Sequence, residues 1–332
     1  MFGSIRPRLA ILAVLALLLP ALLPGQSFTG AITGAITDPT GSAVPNAKVV
    51  AVEERSNAVT ETVSDATGAY SFPLLRVGQY RIEAEAGGFR KLVRSGIELR
   101  VNDRLRVDLT LALGAVNESI EVTGGAPLVE SETGAMGTVI DNRKIVNIPL
   151  NTRNPFQLAL LSPGVVPSPA FGNAFNTSAN FIINGNRGNT SEMMIDGITN
   201  SVPAANPILV VTMFPSPDAL EEFKVQTNGY AAEYGRSGGG LINMVIKSGT
   251  NNYHGVVYEF LRNSKLDAND FFANKAGRPI GPFKRNQFGF SFGGPIKRDK
   301  AFFFVNYEGL RERSRKPRSE EHTSELQSLT NL

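Results

Sequence analysis

The sequence predicts a mainly β protein of three parts in series: an immunoglobulin-like or transthyretin-like β-sandwich, a mixed α+β segment, and the first strands of an incomplete transmembrane β-barrel. Three observations predict it. Residues 28–113 alternate apolar and polar side chains between regularly spaced turns. Residues 136–250 break into short apolar segments separated by asparagine, glycine and proline. Residues 251–317 carry strands with one aromatic face and one small or polar face.

In the first part, "DPTG" (Asp38–Gly41) has the residues of a type I turn: Asp first, Pro second, Gly fourth. "DATG" (Asp65–Gly68) is a second such turn and "AGG" (Ala86–Gly88) a third. Tyr80, Ile82, Ala84 and Ala86 fall on one strand face, with Arg81, Glu83 and Glu85 on the other. Leu105, Val107, Leu109, Leu111 and Leu113 likewise oppose Arg104, Arg106, Asp108 and Thr110. Alternation of this kind means one buried face and one wet face, and several such strands make a sandwich.

The N-terminus reads as an export signal. Arg6 and Arg8 precede the apolar run Leu9–Leu19, which is short for a span needing about 20 residues. Cleavage is expected near Gly25–Ser27, making residues 1–26 a signal peptide.

Composition excludes several classes. The net charge of the 332-residue chain is only +3 and its charges are scattered, so no nucleic-acid partner is expected. "RERSRKPR" (Arg311–Arg318) reads as a solvated strand end. There is no cysteine, which removes disulfides and thiolate catalysis. The two histidines, His254 and His322, lack metal-ligand spacing. "SGGG" (Ser237–Gly240) lacks the phosphate-loop spacing and leads into a strand rather than a helix. Asp267 and Asp270 are paired carboxylates without a pocket. No catalytic residue, metal or cofactor is expected. An exported adhesin or structural β-sandwich protein is the alternative to the reading below.

Residues 114–135 read as a polar, Gly-rich linker with one short strand, Ile120–Thr123. Beyond it, Pro155–Leu161 is expected as a short helix capped by Asn154. A second starts at Asp218 and runs into a strand, and Leu241–Lys247 is another strand. "INGNRGNTSEMMIDGIT" reads as two strands around a polar loop. In the last part Phe288, Phe290 and Phe292 alternate with Gln287, Gly289, Ser291 and Gly293, while Phe303, Val305 and Tyr307 oppose Phe304, Asn306 and Glu308. Val256, Tyr258 and Phe260 share one face of an earlier strand. Asn263–Lys284 is expected as a longer outer loop and Lys297–Lys300 as a short turn. A membrane sheet must close, which takes about eight strands. Here there are about three, so the barrel is incomplete.

Several stretches resemble known families. "GAITGAITDPTGSAVPNAKVVAV" and "SDATGAYSFPLLRVGQYRIEAEAGGFRK" resemble the carboxypeptidase-regulatory-like domain over most of residues 29–112. "NGNRGNTSEMMIDGITN", "ALEEFKVQTNGYAAEYGRSGGGLINMVIKSGTN" and "HGVVYEFLRNSKLDANDFF" resemble the plug domain and early barrel of TonB-dependent outer-membrane receptors of the Oar-like type. Together these cover residues 29–313, in the family's domain order. The resemblance implies a Gram-negative outer membrane, with plug and sandwich on the periplasmic side. The implied partners are the periplasmic TonB protein, outer-membrane lipid and an unidentified external ligand. It also implies a TonB box at Glu118, Ser119, Ile120, Glu121, Val122, Thr123 and Gly124, bound by strand addition and therefore needing an accessible, unpaired strand on a flexible tether. Ligand-facing residues are expected in the plug loop at Asn184, Asn186, Arg187 and Asn189. The final "RSEEHTSELQS" (Arg318–Ser328) is similar to a translated sequencing adapter, so residues 318–332 are expected to be foreign and the gene to continue past Pro317.

Overall fold

A computed structural model describes residues 29–114, 119–123, 134–150, 153–168, 181–188, 190–205, 208–231, 234–235 and 237–314. The signal peptide and the C-terminal tail lie outside the described residues. No described helix is long and apolar enough to cross a membrane.

The first body is a sandwich. Its strands are β1 (Thr29–Thr37), β2 (Lys48–Glu53), β3 (Val59–Val63), β4 (Ala69–Arg76), β5 (Gly78–Glu85), β6 (Lys91–Leu99), β7 (Arg104–Arg106), β8 (Leu109–Thr110) and β9 (Ser119–Thr123). One sheet runs β4-β1-β7 with β8 also on β1, and the other runs β3-β2-β5-β6-β9. Alternation sorts the faces as expected: Tyr80, Ile82 and Ala84 join Leu105, Val107, Leu109 and Leu111 in one core with Ile32, Ile36, Phe72 and Leu99. Both expected type I turns form. Asp38 Oδ1 accepts from the Thr40 and Ser42 N–H groups, and Asp65 Oδ1 from those of Thr67 and Ala69. One residue departs from the pattern. Leu113 is exposed, because the regular strand ends at Thr110 and Leu113 makes only an isolated bridge to Phe89.

The second body is a small mixed sheet. Its principal strands are β10 (Met136–Asp141), β13 (Ser191–Ile195), β14 (Ile198–Thr199), β17 (Leu220–Asn228) and β18 (Gly240–Ile246), in the order β10-β17-β18-β13-β14. Two ribbons flank it: β11 (Val165–Pro167) with β12 (Phe181–Ile183), and β15 (Ser201–Ala205) with β16 (Ile208–Val211). Helix α1 (Asn142–Asn147) follows β10 directly, with Asp141 as its N-cap accepting from Lys144 N–H at 2.9 Å. Pro155–Leu161 forms a 3₁₀ helix capped by Asn154, and Pro217–Ala219 a single 3₁₀ turn entering β17. The core of this body is Ile140, Phe156, Phe181, Met193, Phe223, Val225, Ile242 and Met244.

The third body is an antiparallel sheet of β19 (His254–Asn263), β20 (Phe283–Lys297) and β21 (Ala301–Ser314). The loop between β19 and β20 holds helix α2 (Phe271–Lys275), capped by Asp270. Register assigns the faces. Phe290 pairs with Val257 and Tyr307, and Phe292 with Val305, so these residues share one outer face, where they are exposed. Gln287, Gly289, Ser291 and Gly293 are buried on the inner face. Val256, Tyr258 and Phe260 do share a face, but it is this inner one: Tyr258 pairs with Gly289 and Phe260 with Gln287. Several glycines of this sheet have a ring of an adjacent strand where a Cβ would stand, Gly289 and Gly309 among them. A Cβ on Gly289 would sit 2.6 Å from the Tyr258 hydroxyl, and one on Gly309 2.9 Å from Phe288 Cζ.

Candidate functional site

Strand β9 contains five of the seven expected box residues; Glu118 and Gly124 lie outside the described residues. The expectation was an unpaired strand on a tether. Instead β9 pairs in parallel with β6, Lys91 opposite Ser119 through Ser95 opposite Thr123. The reason is physical. The outer edge of β6 offers unpaired N–H and C=O groups, and the Ile-Glu-Val-Thr run is a good strand former. β9 ends the sheet, so its other edge is unpaired among the described residues.

A second feature joins the sandwich to the mixed sheet. Strand β17 alternates Phe223 and Val225, in the core, with Glu222, Lys224 and Gln226. The polar row is not wet: the sandwich turn Val101–Asp103 lies on it. Lys224 Nζ meets Asp103 Oδ1 at 2.8 Å and donates to the Val101 carbonyl at 2.8 Å. The Val101 N–H donates to Glu222 at 3.2 Å, and Asn102 Nδ2 to Gln226 Oε1 at 3.3 Å. Val101 itself packs on Val245 and Val77. Asn102 adopts a left-handed φ of 58°, which asparagine tolerates better than most residues. Further out, Arg55 pairs with Glu221 at 2.8 Å, and Asn57 donates to Asp299, in the β20–β21 turn, at 2.9 Å. The sandwich is therefore fastened to both other bodies.

Burial pushes the Glu222 carboxyl up to about 7; the Val101 N–H bond opposes this, Asp103 adds to it, and Lys224 and Arg100 lower it. Once undocked, Glu222 ionises near its ordinary 4.5. The docked state thus holds a proton that the undocked state loses between these two values. Glu222's contribution to docking is therefore full below pH 4.5 and is lost as pH rises through about 7. Glu222→Gln is expected to flatten that dependence, read as hydrogen exchange at residues 100–103 across the same window. A slope unchanged in E222Q assigns it to another group.

A third feature holds the hairpin sheet to the middle one. Arg153 pairs with Asp218 and, at 3.4 Å, with Glu308. Its guanidinium lies 4.6 Å from the Tyr258 ring centre and 4.1 Å from that of Phe260. Glu308 also accepts from Tyr258 at 2.9 Å and from Gln287 at 2.7 Å, and Tyr258 shares a 2.9 Å hydrogen bond with Ser216. Arg153 has a left-handed φ of 54°. None of these residues was singled out as a site from sequence.

The loop after β12 is exposed at Asn184, Asn186 and Arg187; Asn189 lies outside the described residues. Asn184 Nδ2 donates to Thr227 O at 2.8 Å, and Asn186 Nδ2 to Gly238 O. Both amides brace neighbouring loops. Among the described residues no group of three or more His, Cys, Asp or Glu is placed to hold a metal.

Residues 31–112 match the Carboxypeptidase regulatory-like domain family. Residues 245–326 match the Outer membrane beta barrel domain family, a match that runs into the C-terminal tail. Over 294 residues the chain is 31% identical to the TonB-dependent transporter Oar of Myxococcus xanthus, covering 83% of this chain and 26% of that protein. The chain thus spans about a quarter of its relative's length. The siderophore receptor PirA from Acinetobacter baumannii is similar at 22% identity and TM-score 0.37, over 52% of this chain and 24% of that one. The unliganded ferric citrate transporter FecA is similar at 19% and 0.40, over 55% and 26%. A small sheet fastened to the polar side of an aromatic-faced strand wall, behind a regulatory-like sandwich, defines a plugged outer-membrane receptor. The chain belongs to the TonB-dependent outer-membrane receptors, and its place is the outer membrane of a Gram-negative bacterium.

Proposed function

We propose that the chain is the amino-terminal part of a TonB-dependent transporter, which takes up an external ligand with energy delivered by TonB and performs no covalent chemistry. The observation that carries this is the position of β9. Strand β9 stands at the edge of the sandwich sheet, between the sandwich and the first plug strand, β10, where a pull reaches both. Strand addition uses main-chain hydrogen bonds and tolerates a loose sequence. On this reading residues 28–113 are the sandwich, 114–135 the linker with the TonB box Glu118–Gly124, 136–250 the plug and 251–317 the start of the barrel. Sandwich, plug and the Lys297–Lys300 turn face the periplasm, and the aromatic face of β20 and β21 meets lipid. Arg187 is the described loop residue left to face a ligand whose identity stays open. The full-length receptor should capture the purified periplasmic domain of TonB, and deletion of 118–123 should abolish capture. Undiminished capture by the deletion variant overturns the assignment.

A further inference from the structure

The same backbone that TonB must grip is already in use. Strand β6 pairs with β5 along one edge and β9 along the other. A strand edge pairs with one neighbour at a time, because each N–H and C=O points to one side only. The β6–β9 ladder is short and parallel, the slightly weaker kind of pairing, which makes it releasable. It ends at Ser95, beside Gly96, which takes a φ of 77° and sits near the register shift between β5 and β6. The seat therefore has a built-in length of five register positions. It is also fixed in space, because the sandwich is held on the plug through Asp103–Lys224 and on the hairpin turn through Asn57–Asp299.

We propose that TonB adds to the edge of β9 that β6 now occupies, so that the outer edge of β6 is an intramolecular seat and the sandwich competes with TonB for Ser119–Thr123. This rests on the TonB-box reading. The partner sees only the fraction of receptors whose strand is off its seat, and its apparent affinity is lowered by that fraction. A pull on β9 breaks the ladder first and reaches the plug second.

The test uses the full-length receptor with Ser95→Cys and Thr123→Cys, register partners in a chain that has no other cysteine. Adjacent strands bring such Cα atoms within the roughly 4.4–6.8 Å that a disulfide spans. The probe is the purified periplasmic domain of TonB. The oxidised receptor is expected to bind it at least about tenfold more weakly than the same protein after reduction. Equal binding in both states overturns the competition. Failure of the two thiols to oxidise, or absence of exchange protection at 119–123 in the cysteine-free receptor, overturns the seat itself. If neither redox state binds and deletion of 118–123 changes nothing, the TonB-box reading falls, while exchange protection at 119–123 still reports on the seat.

Discussion

Lys224→Met is expected to release the sandwich from the plug. The side chains of Lys224 and Asp103 are only 5% and 8% exposed, so the methionine leaves a carboxylate and the Val101 carbonyl buried without their cation. Breaking a buried pair from one side costs about 3–5 kcal/mol, whereas replacing both partners with apolar groups is often neutral. The single variant should therefore lose exchange protection at residues 100–103 and become cleavable in the linker 114–135. Lys224→Met combined with Asp103→Leu should recover most of that protection. A single variant with unchanged exchange shows that the pair does not hold the seam.

Arg153→Ala should loosen the plug from the barrel wall by about 3 kcal/mol, from an uncompensated Asp218 and lost ring contacts. Lysine should not rescue it, since a point charge cannot serve two carboxylates and lie flat on two rings. Backbone geometry adds a less obvious expectation. At a φ of 54° a Cβ is strained, so Arg153→Gly should retain about 1 kcal/mol more stability than Arg153→Ala. Denaturant midpoints of the full-length receptor order the three variants. Alanine equal to or better than glycine would remove the strain from this account.

The local grammar of the fold was legible in the sequence. Asp-Pro-Thr-Gly gave its turn, Asn154-Pro155 its capped 3₁₀ helix, and Phe288, Phe290 and Phe292 their shared outer face. What was not legible lies between elements distant in sequence. The alternation Glu222, Lys224, Gln226 reads as a wet face, and nothing nearby tells that a turn more than a hundred residues earlier covers it. Arg153 reads as a loop charge until Asp218, Tyr258 and Glu308 converge on it. Strand β9 was visible as a strand, but parallel pairing to β6 leaves no local mark. In β19 both faces carry apolar residues, Val256, Tyr258 and Phe260 on one and Val257 and Leu261 on the other, so only register could tell which one turned inward.

Gly289 and Gly309, each with a neighbouring ring where a Cβ would stand, carry a consequence for how the wall is assembled. A slip of two residues keeps every side chain on its proper face, so lipid and water cannot detect it. Tyr258 would then lie over Gln287 or Ser291, and Phe288 over a residue other than Gly309, where a Cβ stands in the way. Glycine under ring thus acts as an alignment mark cut into neighbouring staves. Each stave can be set against the last before the cask is closed, and a misaligned one is rejected by contact alone.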